Sequence, residues 1–182
     1  SITVNIDITP WQGKRLYPAM LWLLTDTVNE MEEFRTALTP EGLGIYDELT
    51  PSYTIFNREN KNFSAIYTPF HRDYNTFLKA YEKDVETYST SVHYAAKPGR
   101  PANSFDVSML PWASFTSFNI NTFGSADHLL PIFTMGKAFE QDGKKMLPMA
   151  IQVHHAVCDG YHIGQFVDSL QSKIDQFGCN HQ

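Results

Sequence analysis

Asp142-Gly143-Lys144-Lys145-Met146-Leu147-Pro148-Met149-Ala150-Ile151-Gln152-Val153-His154-His155 is a turn followed by a long apolar run, and its reading decides the fold. An Asp-Gly pair between Ile132–Phe139 and Met146–His155 is a strong hairpin signal, because both central residues of the tightest hairpin turns need positive φ. Beyond it, Tyr161 to about Phe177 reads as a closing helix with Ile163, Phe166, Val167, Leu170, Ile174 and Phe177 on its buried face. Upstream, Phe105–Met109 and Ser114–Thr122 are strand candidates, and residues 95–104 are a loop by composition. A helix is predicted from Asp73, its cap, to about Tyr88, with Tyr74, Phe77, Tyr81, Val85 and Tyr88 on one stripe. Strands are expected around Ile45–Tyr46, Tyr53–Phe56 and Phe63–Tyr67. Another helix begins near Pro18 and carries Leu21, Leu24, Val28 and Met31 at helical spacing. The opening stretch alternates with Ile2, Val4, Ile6 and Ile8 on one face. It reads as a strand already under way, which places the natural N-terminus upstream of Ser1. This mixed order with hairpins predicts an α+β fold: a mixed β-sheet covered by helices on one face.

Composition sets the outer bounds. The 182 residues form one domain by length, large enough to bury a core without staples. Lys and Arg number 14 against 20 Asp and Glu, a net charge of −6, and no basic run interrupts the acidic balance. Nucleic acid is therefore excluded as an expected partner, since phosphate neutralisation supplies most of that affinity. No apolar run approaches the roughly 18 residues of a membrane span. Cys158 and Cys179 are too few for a disulfide framework, which fits a reducing, cytoplasmic setting.

Gln152-Val153-His154-His155-Ala156-Val157-Cys158-Asp159-Gly160-Tyr161-His162 holds the chemistry. Strand parity puts His155 with Met149, Ile151 and Val153 on the core face, and His154 with Gln152 on the other. His155 is then a desolvated imidazole at a strand end, a setting that favours the neutral form and so a base. A hydrogen-bonded core histidine is the plainer alternative. No metal site is assigned: the spacing is neither HExxH nor Cys-x-x-Cys, and Gly160 interrupts any shared helical face. Cys158 reads as a small buried residue rather than a nucleophile.

The run from His154 to Gly160 contains the His-His-x-x-x-Asp-Gly pattern of the CoA-dependent acyltransferases. Two further stretches narrow the match: Val107-Ser108-Met109-Leu110-Pro111-Trp112, leading into Ser117-Phe118-Asn119-Ile120-Asn121, and Pro131-Ile132-Phe133-Thr134-Met135-Gly136-Lys137. With them the chain resembles the type A chloramphenicol acetyltransferases from about Ile2 to Phe177. That resemblance implies the two-layer acyltransferase fold, a homotrimer, and an active site between subunits. It implies antibiotic inactivation: transfer of acetyl from acetyl-CoA, a co-substrate and not a resident cofactor, to a hydroxyl of chloramphenicol. His155 matches the family's general base, Ser108 its oxyanion donor, Thr134 a threonine that holds the intermediate through water, and Asp159 a structural support. Thr54, Phe63 and Ile120 match acceptor contacts, with ordinary strand core as the alternative. Arg15, Tyr17, Trp112, Phe118 and Lys137 match the coenzyme side, with surface cations and core aromatics as the alternative.

The chain also departs from the family pattern. The arginine that pairs with Asp159 in relatives lies upstream of Ser1, which leaves Asp159 without that partner. Thr9-Pro10-Trp11-Gln12-Gly13 is a short connection where relatives have a helix, and Ala95 stands where they place a bulky apolar residue. Two other readings stay open: a catalytically silent ligand-binding relative, and a dihydrolipoamide acyltransferase-like core, although no Ala/Pro-rich linker is present.

Overall fold

A computed structural model describes residues 1–11, 15–121 and 127–180. The elements run β1 Ile2–Asp7, α1 Leu16–Asn29, α2 Glu32–Arg35, β2 Thr36–Thr39, β3 Gly42–Ile45, β4 Thr50–Asn57 and β5 Asn62–Tyr67. They continue with α3 Tyr74–Tyr88, β6 Ser104–Met109, β7 Ile132–Met135, β8 Phe139–Gln141, β9 Lys144–Gln152 and α4 Gly160–Asn180. Seven strands make one mixed sheet in the order β1-β9-β7-β6-β4-β5, with β8 paired to β9. β4, β6 and β7 are parallel neighbours, while β1, β9 and β5 pair antiparallel at either side. The hairpin β2–β3 stands apart from this sheet.

Local chemistry explains the boundaries. Asp142 and Gly143 both adopt positive φ, 51° and 75°, and close the β8–β9 hairpin as the sequence predicts. The Asp73 carboxylate accepts hydrogen bonds from the amide and hydroxyl of Thr76 and starts α3. α1 begins at Leu16 and absorbs Pro18 in its first turn, where a missing N–H costs nothing. Its Thr25 and Thr27 are fully buried and bond back to the carbonyls of Leu21 and Leu23.

Period-2 alternation splits the sheet into two unlike faces. Leu147, Met149 and Ile151 of β9, Phe133 and Met135 of β7, Phe105 and Val107 of β6, and Tyr53 of β4 are buried on one face. The helices cover this face, and Phe34, Phe133 and Phe166 stack at its centre with ring centroids 4.7–6.5 Å apart. On the other face lie Ser52, Thr54, Asp106, Ser108, Thr134 and Gln152, with Phe56 and Phe63 exposed at one side. The loop after β6, rather than a helix, lies over part of this face: its Phe118 amide donates to Thr3 and its Ile120 amide to Gln152.

Three expectations need correction. Residues 114–121 form no strand, and the Phe118 and Ile120 amides bond to side chains instead of a neighbouring strand; Thr122 lies outside the described residues, as do Gln12 and Gly13. The run 132–139 is two strands, broken where the Gly136 amide turns to the Pro148 carbonyl and Lys137 to that of Ala113. β9 ends at Gln152, three residues before His155.

Candidate active site

Parallel pairing of β6 with β7 places Ser108 opposite Thr134. Both face away from the core, so their short side chains meet: the two hydroxyl oxygens are 2.9 Å apart. Thr134 is 1% exposed. A buried hydroxyl proton needs an acceptor, and Ser108 is the one it has among the described residues. Thr134 therefore donates to Ser108, which leaves the Ser108 proton free for whatever lies in front of it.

Two cavities lie there. A larger one of about 660 Å³ is bordered by Tyr17, Tyr81, Trp112 and Lys61. A smaller one of about 350 Å³ is bordered by Asp106, Ile120, Ala65 and Tyr94. Thr54, Phe63 and Ser108 border both. The larger wall is apolar and aromatic, with Trp112 set edge-on against Phe56 at 4.8 Å. Tyr17 donates its hydroxyl proton to the Thr54 carbonyl, and burial pushes its ionisation upward. Burial likewise pushes Tyr81 up to about 12, so it stays a neutral donor.

His155 follows the end of β9, in a turn closed by the amides of Val157 and Cys158 on the His154 carbonyl. Its ring is exposed, not shielded on the core face, because strand parity stops applying once the strand has ended. Nδ1 lies 3.1 Å from the Cys158 carbonyl oxygen. A carbonyl can only accept, so in the neutral ring Nδ1 carries the proton and Nε2 the lone pair, the tautomer a base requires. His155 borders neither cavity. Cys158 behind it is buried, and desolvation lifts its thiol to about 12, which suits packing and not nucleophilic attack.

Asp159 has partners within this chain other than the arginine of the family pattern. Its carboxylate accepts from the amides of Tyr161 (2.9 Å) and His162 (3.3 Å), capping α4, and lies 2.9 Å from the His162 ring. The His162 amide is the main cause of its lowered pKa.

The remaining candidates are scattered. Ile120 and Phe63 border the smaller cavity, and Trp112 and Tyr17 the larger. Arg15 is ion-paired to Glu82 of α3, and Phe118 and Lys137 border neither of the two. Ala95 is exposed and bridges to Ala65. Asp106 and Lys61 also border the cavities, and Gln152 lies on the Ser108 face. Gln152 and Asp106 lie on the Ser108 face by strict alternation, a signal present in the sequence, and Asp106 is ion-paired to Arg100 at 2.9 Å.

A profile of the family described as chloramphenicol acetyltransferase matches residues 1–171. The chain belongs to the chloramphenicol acetyltransferase family. Chloramphenicol acetyltransferases of Clostridioides difficile and Clostridium perfringens are 50% identical over 177 residues and 49% over 178. Each match covers 96% of this chain, with 84% and 86% of the relative. That of Campylobacter coli is 47% identical over 179 residues, covering 97% of this chain and 86% of its own length. A solved chloramphenicol acetyltransferase superposes with a TM-score of 0.82 at 22% identity, covering 95% of this chain and 86% of that one. A dihydrolipoamide acetyltransferase of Azotobacter vinelandii reaches 0.71 at 17% identity, over 96% and 80%. These superpositions place the chain in the CoA-dependent acyltransferase fold. No described helix is long and apolar enough to cross a membrane.

Proposed function

We propose that this chain transfers the acetyl group of acetyl-CoA to a hydroxyl of chloramphenicol, in the cytoplasm, as a homotrimer. The observation that carries the chemistry is a serine hydroxyl bordering two cavities at once. The larger cavity takes the acyl donor, the smaller takes the acceptor, and the reacting carbonyl lies where they meet. His155 borders neither cavity of its own chain, and it is supplied to the Ser108 of a neighbouring subunit. The open sheet face, unlike the helix-covered one, is the side on which that neighbour packs.

Nε2 of His155 removes the acceptor's hydroxyl proton as its oxygen attacks the thioester carbon. The carbonyl oxygen becomes an oxyanion that accepts the Ser108 proton, a donor contact worth about 3 kcal/mol at comparable sites. Collapse of the tetrahedral intermediate breaks the carbon–sulfur bond, and the imidazolium returns its proton to the departing thiolate. The Cys158 carbonyl stabilises the imidazolium through Nδ1–H while it exists. Asp159 holds the turn by capping α4. Ser108 at the meeting of the two cavities and the base tautomer of the His155 ring weigh against a silent ligand-binding relative.

The test is release of coenzyme A thiol from acetyl-CoA with and without chloramphenicol, in wild-type protein and His155→Ala. Chloramphenicol-dependent release, reduced about 10²–10⁴-fold by the substitution, is expected. Equal release with and without the drug refutes the acceptor, and full activity in the variant refutes the base.

A further inference from the structure

Lys61 is the one charged residue bordering the larger cavity among the described residues. It belongs to the turn between β4 and β5 and adopts φ 52°, a left-handed conformation. The turn is built rather than loose. Asn57, 4% exposed, accepts the amides of Glu59 at 3.0 Å and Asn60 at 3.2 Å through its side-chain oxygen. Its amide nitrogen is fixed in turn to the Ser91 carbonyl. Arg58 and Glu59 share the turn but do not border the cavity. The two cations that family resemblance assigns to the coenzyme are placed differently: Arg15 is neutralised by Glu82, and Lys137 lies outside the cavity.

Distance fits the same picture. Thr54 stands beside Ser108 on the same face, and three residue steps along β4 carry the chain from Thr54 to Asn57, roughly 10 Å. A pantetheine arm, with two amide linkages between thiol and pyrophosphate, is longer than that separation. Its apolar and amide portions would lie against Trp112, Phe56 and the Tyr81 hydroxyl, and its phosphates would emerge at the turn.

We propose that Lys61 binds the phosphate-bearing half of the acyl donor, as a point charge at the far end of the larger cavity. This rests on the acetyltransferase reading given above. The test compares acetyl-CoA with S-acetylpantetheine, which lacks every phosphate, in wild-type protein, Lys61→Met and Lys61→Glu. Lys61→Met should raise KM for acetyl-CoA about threefold to fivefold, Lys61→Glu further, with kcat and the chloramphenicol KM unchanged. Neither variant should alter KM for S-acetylpantetheine. Equal effects on both donors, no effect on acetyl-CoA, or a change in the chloramphenicol KM alone would each overturn the assignment. Calorimetry of coenzyme A and pantetheine on the same proteins needs no turnover. If wild-type protein transfers no acetyl group but Lys61→Met still weakens coenzyme A and not pantetheine, the acetyltransferase reading falls and the Lys61 assignment stands.

Discussion

Substituting Ser108 and Thr134 singly and together tests the hydroxyl pair as a unit. The Thr134 hydroxyl is buried and has one acceptor among the described residues, so its proton orients the Ser108 oxygen and releases the Ser108 proton towards the substrate. Ser108→Ala deletes the donor to the oxyanion, about 3 kcal/mol, or roughly 150-fold in kcat. Thr134→Val keeps the shape but removes the orienting bond. A neutral hydrogen bond is worth about 1 kcal/mol net, so kcat should fall about fivefold. In the Ser108→Ala background the same Thr134→Val change has nothing left to orient, and should cost almost nothing further. The double-mutant cycle should therefore return an interaction of about 1 kcal/mol, with KM for both substrates unchanged. Steady-state kinetics on the four proteins, with thermal unfolding as a check on folding, supplies the numbers. If Thr134→Val lowers kcat fivefold in both backgrounds, the two hydroxyls act independently, and the proton assignment drawn from burial is wrong.

Two further predictions concern stability. A Cβ on Gly178 would stand 2.6 Å from the Pro10 carbonyl oxygen, which is backbone and cannot swing away. Gly178→Ala should therefore lower the unfolding free energy by about 1–3 kcal/mol by overpacking. A urea midpoint equal to or above wild type, as helix propensity alone would give, refutes this. Asp7 is held down at about 2, chiefly by the Thr9 hydroxyl and amide and then by Lys144, whose nitrogen lies 2.9 Å away. A depressed carboxylate stabilises the fold above its ordinary value and loses that contribution as it protonates. The wild-type advantage over Asp7→Asn should be complete at pH 5.5 and shrink as pH falls from 3.8 towards 2, measured by unfolding across that range. An advantage that grows on acidification contradicts the assignment.

Much of the fold is legible because its signals are local. The Asp142-Gly143 turn needs two positive φ angles, and the Asp73 cap needs one carboxylate three residues before an amide. The stripe on α4 needs only helical spacing, and Ile163, Phe166, Leu170, Ile174 and Phe177 are indeed buried. What local pattern cannot supply is the partner. Residues 114–121 have strand-like composition, yet the Phe118 and Ile120 amides go to Thr3 and Gln152, residues more than thirty positions away. His155 is misplaced for a related reason: alternation identifies a face but not where the strand stops, and β9 stops at Gln152. At the site, the identities of Ser108, Thr134 and His155 come from family resemblance. The 2.9 Å meeting of two hydroxyls 26 positions apart depends on parallel register, which no spacing reveals. Lys61, a lysine in a polar turn, carries no signal in the sequence until the cavity beside it is visible.

The His155 ring is held in its tautomer by a main-chain carbonyl. Every residue type at position 158 offers that same oxygen, so no exchange of side chain there can delete the contact. Inactivating variants should accordingly cluster at residues that shape the bend, such as Asp159 and Gly160, and resistance to random mutation at Cys158 itself should be limited by packing alone.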